Sequence, residues 1–427
     1  MNILLPSDVF PPKCGGAGWS SHALAQALIA RGHTVTAIVP RLQAAGVARE
    51  DVLGVPTVRF GYHAPNLPFV QNYFRHERLW PQFARVIAVA LSPQPSALSP
   101  QPSALIHAQH VQAAGAAVIA GRHLGLPVVV TVRDHWPWDY FATGLHGNQV
   151  PYSGQTWAAL ATDLVARTGP LRGAVAMPAI PYMLGHLRRR QHILRQADAV
   201  IAVSSYIAQR LRTLVPPERI HVIPNMVNIA GIAQTIAQPQ KSVSGPYVLF
   251  VGKLDRNKGA HLLIDIFQQF RLLGQWASDR RQQPTLVFAG DGPLKPLLER
   301  ELATLGVSTR FLEWIEHDEV LRLIAGCELL LFPSAWGEPL SRVWLEAAAC
   351  GAPMLAMPTG GIHDLIHDGE NGVLAATPEL FARRMAILLG DPATRRRLGA
   401  AAQATAQARF STSHVIGQIE QLYQSLV

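Results

Sequence analysis

Two glutamates eight positions apart, Glu338 and Glu346, stand in the otherwise apolar stretch "FPSAWGEPLSRVWLEAAACGAP" (332–353). An unpaired buried carboxylate is costly, so each must reach solvent or meet a hydrogen-bonding partner. Pro339 suits the first turn of a helix and Gly351 its end. On one helix, eight residues rise about 12 Å and turn about 80° past two full turns. Both carboxylates can then face one groove at two depths. The helix N-terminus would add free amides and partial positive charge. A ligand with hydroxyls at both ends and an anion between them fits this pattern, as a nucleotide-sugar does. The plainer alternative is that Glu338 caps the helix and Glu346 makes a buried ion pair.

Further segments carry matching chemistry. "VLFVGKLDRNKGAHLLIDIF" runs strand, loop, helix, with Lys253 and Lys258 in the loop. Two lysines at a strand's carboxyl end can neutralise a diphosphate, or simply be solvated. "CGGAGWSSHALAQALIARGH" follows the first apolar run, and Gly15 and Gly16 would let backbone approach a phosphate. It is neither a complete GxGxxG nor a Walker loop. "FAGDGPLKPLLE" repeats the strand-to-helix turn at Gly290 and Gly292, as base-binding loop or as plain turn chemistry. His107 and His110 have a spacing open to metal ligation, but no carboxylate or Cys accompanies them in sequence, so core or cleft-lining roles are favoured. Trp136, Trp138 and Tyr140 could stack on a sugar or pack in the core. No metal site is expected.

The elements that must position these residues alternate in kind. Short apolar runs give strand candidates at 2–5, 34–39, 105–107, 128–132, 199–203 and 221–223, then at 247–251, 285–289, 329–332 and 354–356. Longer helical patterns lie between them, the mark of α/β architecture. A polar stretch from Asn228 to Gly245 separates the two sets. Each set can form its own doubly wound sheet, with a cleft between them where strand ends meet. "SPQPSAL" occurs twice in succession, 92–98 and 99–105, and is expected to be a lengthened, chemically idle surface loop.

Composition bounds the partners. Of 427 residues, 49% are apolar and 15% charged, against a usual charged share of about 25%. Much of the chain is therefore destined for burial, as in parallel sheets covered on both faces. The net charge of +9 favours an anionic partner. Cys14, Cys327 and Cys350 show no paired spacing, which implies a reducing compartment. No apolar run reaches 18 residues, and "MNILLPSDVFPP" reads as a strand and not as a signal peptide.

Taken in order, "FPPKCGGAG", "ARGHTV", "AVSSYIAQRL", "VIPNMVN", "VGKLDRNKG", "GDGPL", the two-glutamate stretch, "TGGIHDLIHDGENGVL" and "ARFSTSHVIGQIEQLY" resemble a family 4 glycosyltransferase of the GT-B fold, over almost the whole chain. The resemblance implies two Rossmann-like doubly wound domains facing across a cleft. Residues 1–227 would form the acceptor-side domain, 228–245 a linker and 246–408 the donor-binding domain. Residues 409–427 would form a helix packing back on the first domain. It implies a retaining, metal-independent transfer from a nucleotide-diphosphate sugar, UDP- or GDP-linked, with no other cofactor. The acceptor would be a glycan, lipid-linked or small molecule, and nucleic acid is no partner. Glu338 would contact the donor sugar, and Leu340 and Ser341 the phosphates. Glu346 would hold the ribose, Lys253 and Lys258 the diphosphate, and Gly16 would close on the donor.

The chain departs from that family at three places. Lys253 stands where Arg is usual, and Lys lacks the bidentate fork. Pro224-Asn225-Met226 replaces the usual PNG. In "VVVTVRDHWPWDY", Arg133 takes the place of a His, followed by Asp134. Arg133 cannot act as a base. His135 is a substitute, or the leaving phosphate takes the acceptor proton; a structural Arg133–Asp134 pair is the alternative. Two other functions compete: a non-catalytic nucleotide-sugar-binding protein, and a nicotinamide-dependent enzyme whose complete GxGxxG is missing here. The expected location is the cytoplasm. Peripheral contact with an anionic inner membrane face is an open option, through the basic segment 176–196 with Arg188, Arg189, Arg190 and Arg195. Against it stands an ordinary domain helix starting after Pro178 and Pro181.

Overall fold

The computed structural model describes residues 1–67, 70–91, 104–147, 150–151, 154–274, 284–334 and 336–427. The chain divides into two compact units. Unit 1 comprises Met1–Ala142, Ser153–Met226 and Val415–Val427, and unit 2 comprises Thr143–Tyr152 and Val227–His414.

Unit 1 is built on an eight-stranded sheet. Its strands in chain order are β1 (Asn2–Pro6), β2 (Thr34–Leu42), β3 (Val47–Val52), β4 (Val55–Tyr62), β5 (Ala104–Ala108) and β6 (Val128–Val132). A two-stranded ribbon follows, β7 (Leu145–His146) with β8 (Val150–Pro151), counted with unit 2. Then come β9 (Ala199–Ala202) and β10 (Ile220–Val222). The spatial order is β10-β9-β6-β5-β1-β2-β4-β3. All neighbours run parallel except β3 with β4. Central strands such as "VVVTV" are buried throughout, as a sheet covered on both faces requires. The strand order reverses between β5 and β1. In a doubly wound sheet the crevice opens outside the strand carboxyl ends at that point.

The hairpin β3–β4 carries no alternation the apolar runs would reveal. Its edge strand "VAREDV" is almost wholly exposed, and charges on an edge discourage pairing with other chains. Its turn is Leu53-Gly54, both at positive φ, in place of the usual Asn-Gly signal. The terminal helix Thr412–Leu426 lays Val415, Ile416, Ile419, Leu422 and Tyr423 into the unit 1 core, against Ile3, Leu5, Leu24 and Leu105. Each fully buried aliphatic side chain of this kind stabilises the fold by about 1.5–3 kcal/mol.

Unit 2 holds an all-parallel six-stranded sheet of β11 (Tyr247–Val251), β12 (Thr285–Ala289), β13 (Thr309–Phe311), β14 (Leu329–Phe332), β15 (Met354–Ala356) and β16 (Val373–Leu374). Its order is β13-β12-β11-β14-β15-β16, so the reversal falls between β11 and β14.

The ten strands expected from apolar runs are all present, with ends shifted by a few residues at most. Three other expectations need correction. The two-glutamate stretch does not start its helix at Pro339: the helix is Arg342–Ala349, with Ser341 as N-cap, and Glu338 lies in the loop before it. Pro339 ends an approach loop instead of opening a turn. Within 228–245, residues Ile229–Ile236 form a helix capped by Asn228, whose side chain accepts from the Gly231 amide at 3.0 Å. In the basic segment the helix is Ile180–Leu194 and includes Pro181 in its first turn, where a missing N–H costs nothing. Its buried stripe contains Ile180, Met183, Leu187 and Leu194, and also Arg190. Arg189 bonds to Glu77 at 2.8 Å. Arg195 donates to Leu214 O at 3.1 Å, so three of the four arginines are occupied within unit 1. The duplicated "SPQPSAL" falls on 92–103, outside the described residues, except that Ala104 and Leu105 open β5.

Candidate active site

In unit 2 the strand reversal brings two loops together. The β11 loop carries Lys253 and Lys258, and the β14 loop carries Trp336 and Glu338. Lys258 Nζ bonds Glu338 Oε2 at 2.6 Å, and Trp336 Nε1 donates to the same oxygen at 2.6 Å. The ammonium also lies 5.2 Å from the Trp336 ring centroid, within cation–π range. Glu338 is 6% exposed. Its carboxylate is therefore held in place by a cation and an indole, a geometry no helix cap provides. Backbone fixes the loop further. The Gly361 amide donates to Glu338 O at 2.8 Å, and Gly360 sits at φ +59 with no room for a Cβ, which would stand 2.1 Å from that oxygen.

Glu346 is 5% exposed. Its Oε1 accepts from His317 Nε2 at 3.0 Å and Arg342 at 3.2 Å. The hydrogen bond that His317 donates to Glu346 raises the His317 pKa against the effect of burial. Among the described residues Oε2 has no such bond. The plainer sequence alternative is thus half met, since Glu346 does make ion pairs, through one oxygen. Arg342 was legible as an i,i+4 partner. His317, 29 positions upstream, left no sequence signal, and neither did the indole bond of Trp336.

The other predicted residues fall as follows. Lys253 is exposed and pairs with Asp255 at 3.1 Å. Leu340 and Ser341 are buried, and the Ser341 side chain makes no capping bond. The first amides of helix Arg342–Ala349 keep their lack of intrahelical partners. Gly290 and Gly292 are explained by backbone packing: a Cβ would stand 2.1 Å from Gly252 O at the first and 2.5 Å from Leu254 O at the second. Both tie the β12 loop to the β11 loop that carries the lysines. Gly15 and Gly16 belong to unit 1, Gly15 as N-cap of the helix Gly16–Ala30.

Unit 1 gathers polar groups at its own strand reversal. Asp8 follows β1, His110 follows β5, and Arg133 and Asp134 follow β6. His110 lies between two carboxylates, Nδ1 to Asp8 Oδ2 at 3.0 Å and Nε2 to Asp134 Oδ2 at 2.7 Å. Burial opposes its charge, but Asp134 and Asp8 override this and push its pKa up to about 10. Asp134 feels the reverse: burial works against ionisation, yet His110 holds its pKa below the ordinary carboxylate value. Asp8 also accepts from the Gln112 and Ala113 amides at 2.9 and 2.7 Å, at the N-terminus of helix Val111–Leu124.

Asp134 therefore turns to His110, and Arg133 Nε donates to Asn225 Oδ1 at 3.2 Å. His135 is not placed to substitute as a base. It is 1% exposed, and its Nδ1 takes the Trp138 indole at 3.1 Å. Trp136, Trp138 and Tyr140 are buried; Trp138 packs in the core, while Trp136 and Tyr140 line a pocket of unit 1. His107 and His110 share no partner. His107 is wedged between Tyr423 at 2.5 Å and Thr131 at 2.6 Å, and burial, aided by Arg133, lowers its pKa to about 3. Asp8 was missed in sequence because it lies 102 positions from His110.

A family model described as Glycosyltransferase Family 4 matches residues 14–230, and one described as Glycosyl transferases group 1 matches 232–405. The glycogen synthase of Mycobacterium tuberculosis is 28% identical over 256 residues, 57% of this chain and 59% of that protein. The alpha-D-kanosaminyltransferase of Streptomyces kanamyceticus is 27% identical over 250 residues, 55% of this chain and 62% of that one. The chain thus spans somewhat under two thirds of these curated relatives. In structure it is similar to HepE of Anabaena in complex with UDP, with TM-score 0.67 and 22% identity over all of both chains. It is also similar to an Escherichia coli trehalose-6-phosphate protein bound with UDP-2-fluoro glucose, with TM-score 0.69 and 11% identity over all of both chains. These likenesses speak for the GT-B fold. The family model for residues 14–230 covers half the chain and the second covers most of the remainder, so the chain belongs to glycosyltransferase family 4.

Proposed function

We propose that this chain is a retaining glycosyltransferase that moves a sugar from a nucleotide-diphosphate sugar to an acceptor bound by unit 1. The observation that carries the reading is the Lys258–Glu338–Trp336 cluster at the strand reversal of unit 2, with the buried Glu346 on the helix that follows. Glu338 would meet the hydroxyls of the donor sugar, and Oε2 of Glu346 the ribose hydroxyls. As the bond from the anomeric carbon to the phosphate oxygen breaks, positive charge grows on the sugar and negative charge on the leaving phosphate. Lys258, Lys253 and the first amides of helix Arg342–Ala349 would stabilise that phosphate. Removing one such preorganised donor typically costs about 2.7–4 kcal/mol of barrier. The acceptor hydroxyl forms the new bond, and its proton passes to the leaving phosphate. A protonated His110 is no base, and Arg133 is none either, so a phosphate-assisted proton transfer suits this unit.

One observation favours a second reading. Arg133 in place of His suits a nucleotide-sugar-binding protein without turnover. The discriminating experiment is release of UDP or GDP from the nucleotide sugar on adding an acceptor extract. Nucleotide binding without release would leave only the binding function.

Cys14, Cys327 and Cys350 form no disulfide among the described residues, which suits a reducing, cytoplasmic setting. No helix among the described residues is long and apolar enough to cross a membrane. A peripheral contact with anionic lipid is supported by helix Pro170–Ala176, where Leu171 is 79% exposed and Val175 76%, with Arg172 between them. Sedimentation with anionic vesicles at low salt, reversed at high salt, tests it.

A further inference from the structure

Unit 1 contains an open pocket of about 510 Å³, lined by Asp8, Tyr62, Arg75, His76, His110 and Arg190 among others. Its cations are unusual in how little they are matched. Arg190 is 5% exposed. One terminal nitrogen donates to the carbonyls of Trp136, Asp139 and Tyr140 at 3.2, 3.4 and 3.2 Å. That fixes the guanidinium, yet it leaves Nε buried without a partner among the described residues. Arg75 Nε, His76 Nδ1 and the Trp136 indole nitrogen are buried and unpartnered in the same way. All four residues line this one pocket. A buried polar group without a hydrogen bond is destabilising, so four together are hard to explain by packing alone.

The charges point one way. Asp8 is the lining carboxylate, and both its oxygens are already engaged by His110 and the Gln112 and Ala113 amides. Asp134 is engaged by His110 and the Trp136 amide. Among the lining residues Arg75, Arg190 and the charged His110 therefore outnumber Asp8, while the buried Asp134 and Asp139 act on Arg190 from outside the lining. His76 registers these cations: burial drives its pKa well below the ordinary value, and Arg190, His186, Arg75 and His110 all add to that fall. A structural strut accounts for the three carbonyl bonds of Arg190, and Tyr62 takes a bond from Arg75, but neither fills the four buried nitrogens.

We propose that this pocket binds an anionic group, a phosphate monoester or a carboxylate, carried by a monosaccharide-sized acceptor. The guanidinium fork matches either anion in a bidentate way, and the neutral groups of Tyr62, Asn72 and His76 are at hand for hydroxyls. The inference rests on the reading of unit 1 as the acceptor side, and it names the acceptor's chemical class.

The test is calorimetry on the full chain held saturated with UDP, so that anions cannot report on the donor site. The probes are inorganic phosphate, a hexose 6-phosphate, a hexuronate and the uncharged hexose. At least one charged hexose should bind tenfold or more tighter than the neutral one, and inorganic phosphate should compete with it. Arg75→Gln should abolish the preference and leave the Kd for UDP unchanged, while Arg172→Gln, at the exposed helix Pro170–Ala176, should alter neither. Equal binding of charged and uncharged hexose, or a preference that survives Arg75→Gln, overturns the proposal. Arg190→Gln is a companion variant; if it does not fold, the Arg75 variant decides. Failure of UDP to bind would instead strike the transferase reading, and the two failures are separately visible. Competition by anionic phospholipid vesicles would assign the anion to a lipid headgroup, and its absence to a soluble acceptor.

Discussion

Replacing Glu346 by Gln tests the donor assignment with a single oxygen. Oε1 is engaged by His317 and Arg342, and Oε2 is the atom offered to ribose. A hydrogen bond to a charged acceptor contributes about 1.5–3 kcal/mol, and one to a neutral acceptor about 0.5–1.5. The difference is about 1–1.5 kcal/mol for each hydroxyl, or roughly tenfold in affinity. One or two hydroxyl bonds therefore predict about 10- to 100-fold weaker UDP binding by calorimetry. Stability should change little, because both partner cations are partly exposed and such pairs contribute about 1 kcal/mol or less. An internal control accompanies the affinity. The His317 pKa is raised chiefly by its bond to Glu346, so in Glu346→Gln it should fall back toward 6.5, visible by NMR titration. The sign of the linkage follows. A raised histidine pKa contributes stability that is full below about 6.5 and fades as pH rises through the raised value; in the variant this dependence should vanish. Unchanged UDP affinity in a variant whose His317 has titrated back would refute the ribose role.

Lys258→Ala strips a buried carboxylate of its cation. Removing one partner of a buried pair costs about 3–5 kcal/mol, here reduced to about 2 because Lys258 is one quarter exposed; the melting temperature should fall and kcat should fall more than KM rises. Gly259→Ala should destabilise the same loop by about 2 kcal/mol or more, since Gly259 is at φ +70 and a Cβ would meet Pro333 O at 1.6 Å; denaturant unfolding reads it. Transfer should persist in excess chelator, because on the proposed reading lysines and helix amides take the place of a cation at the phosphates, and no Asp-x-Asp triplet occurs; activity lost in chelator and restored by Mg²⁺ or Mn²⁺ would refute this. His110→Gln should flatten stability against pH. The charged His110 contributes stability that is full below about 6.5 and lost as pH rises through about 10, so the wild type, and not the variant, should lose stability between pH 7 and 10.

The sheets were legible because parallel strands buried on both faces are written as apolar runs, as in "VVVTV" and "YVLFV". Strands whose stability comes from neighbours left weaker marks. Strand β3 reads as charged loop, and β16 is two residues long. Glu338 and Glu346 were legible as carboxylates in apolar surroundings, yet their helix was drawn one turn too long. Proline is compatible with a first helical turn but does not compel one, and the close contact of Gly360 with Glu338 O shows which tertiary constraint holds the loop open. The glycines at 290 and 292, open in sequence between a base-binding loop and plain turn chemistry, have the protein's own backbone against them.

Partners remote in sequence explain the rest, and Arg133 shows how far the consequence reaches. A His at that position, beside Asp134, would supply a titratable group there. Here the titratable group next to Asp134 is His110, and it is locked in the charged state between two carboxylates. Arg133 is turned to Asn225, in the segment where Asn-Met replaces Asn-Gly. The first departure, Arg133, is therefore hydrogen-bonded to the residue that precedes the second, Met226. Restoring His at 133 alone would leave Asn225 without its guanidinium partner, so the single change should be more disruptive than the pair. A double-mutant cycle of Arg133→His with Met226→Gly measures this coupling. Residues in one hydrogen-bonded network usually couple by about 0.5–3 kcal/mol. Strict additivity of the two changes in melting stability would show that the loop and the arginine vary independently, and would remove Asn225 as the reason for the substitution.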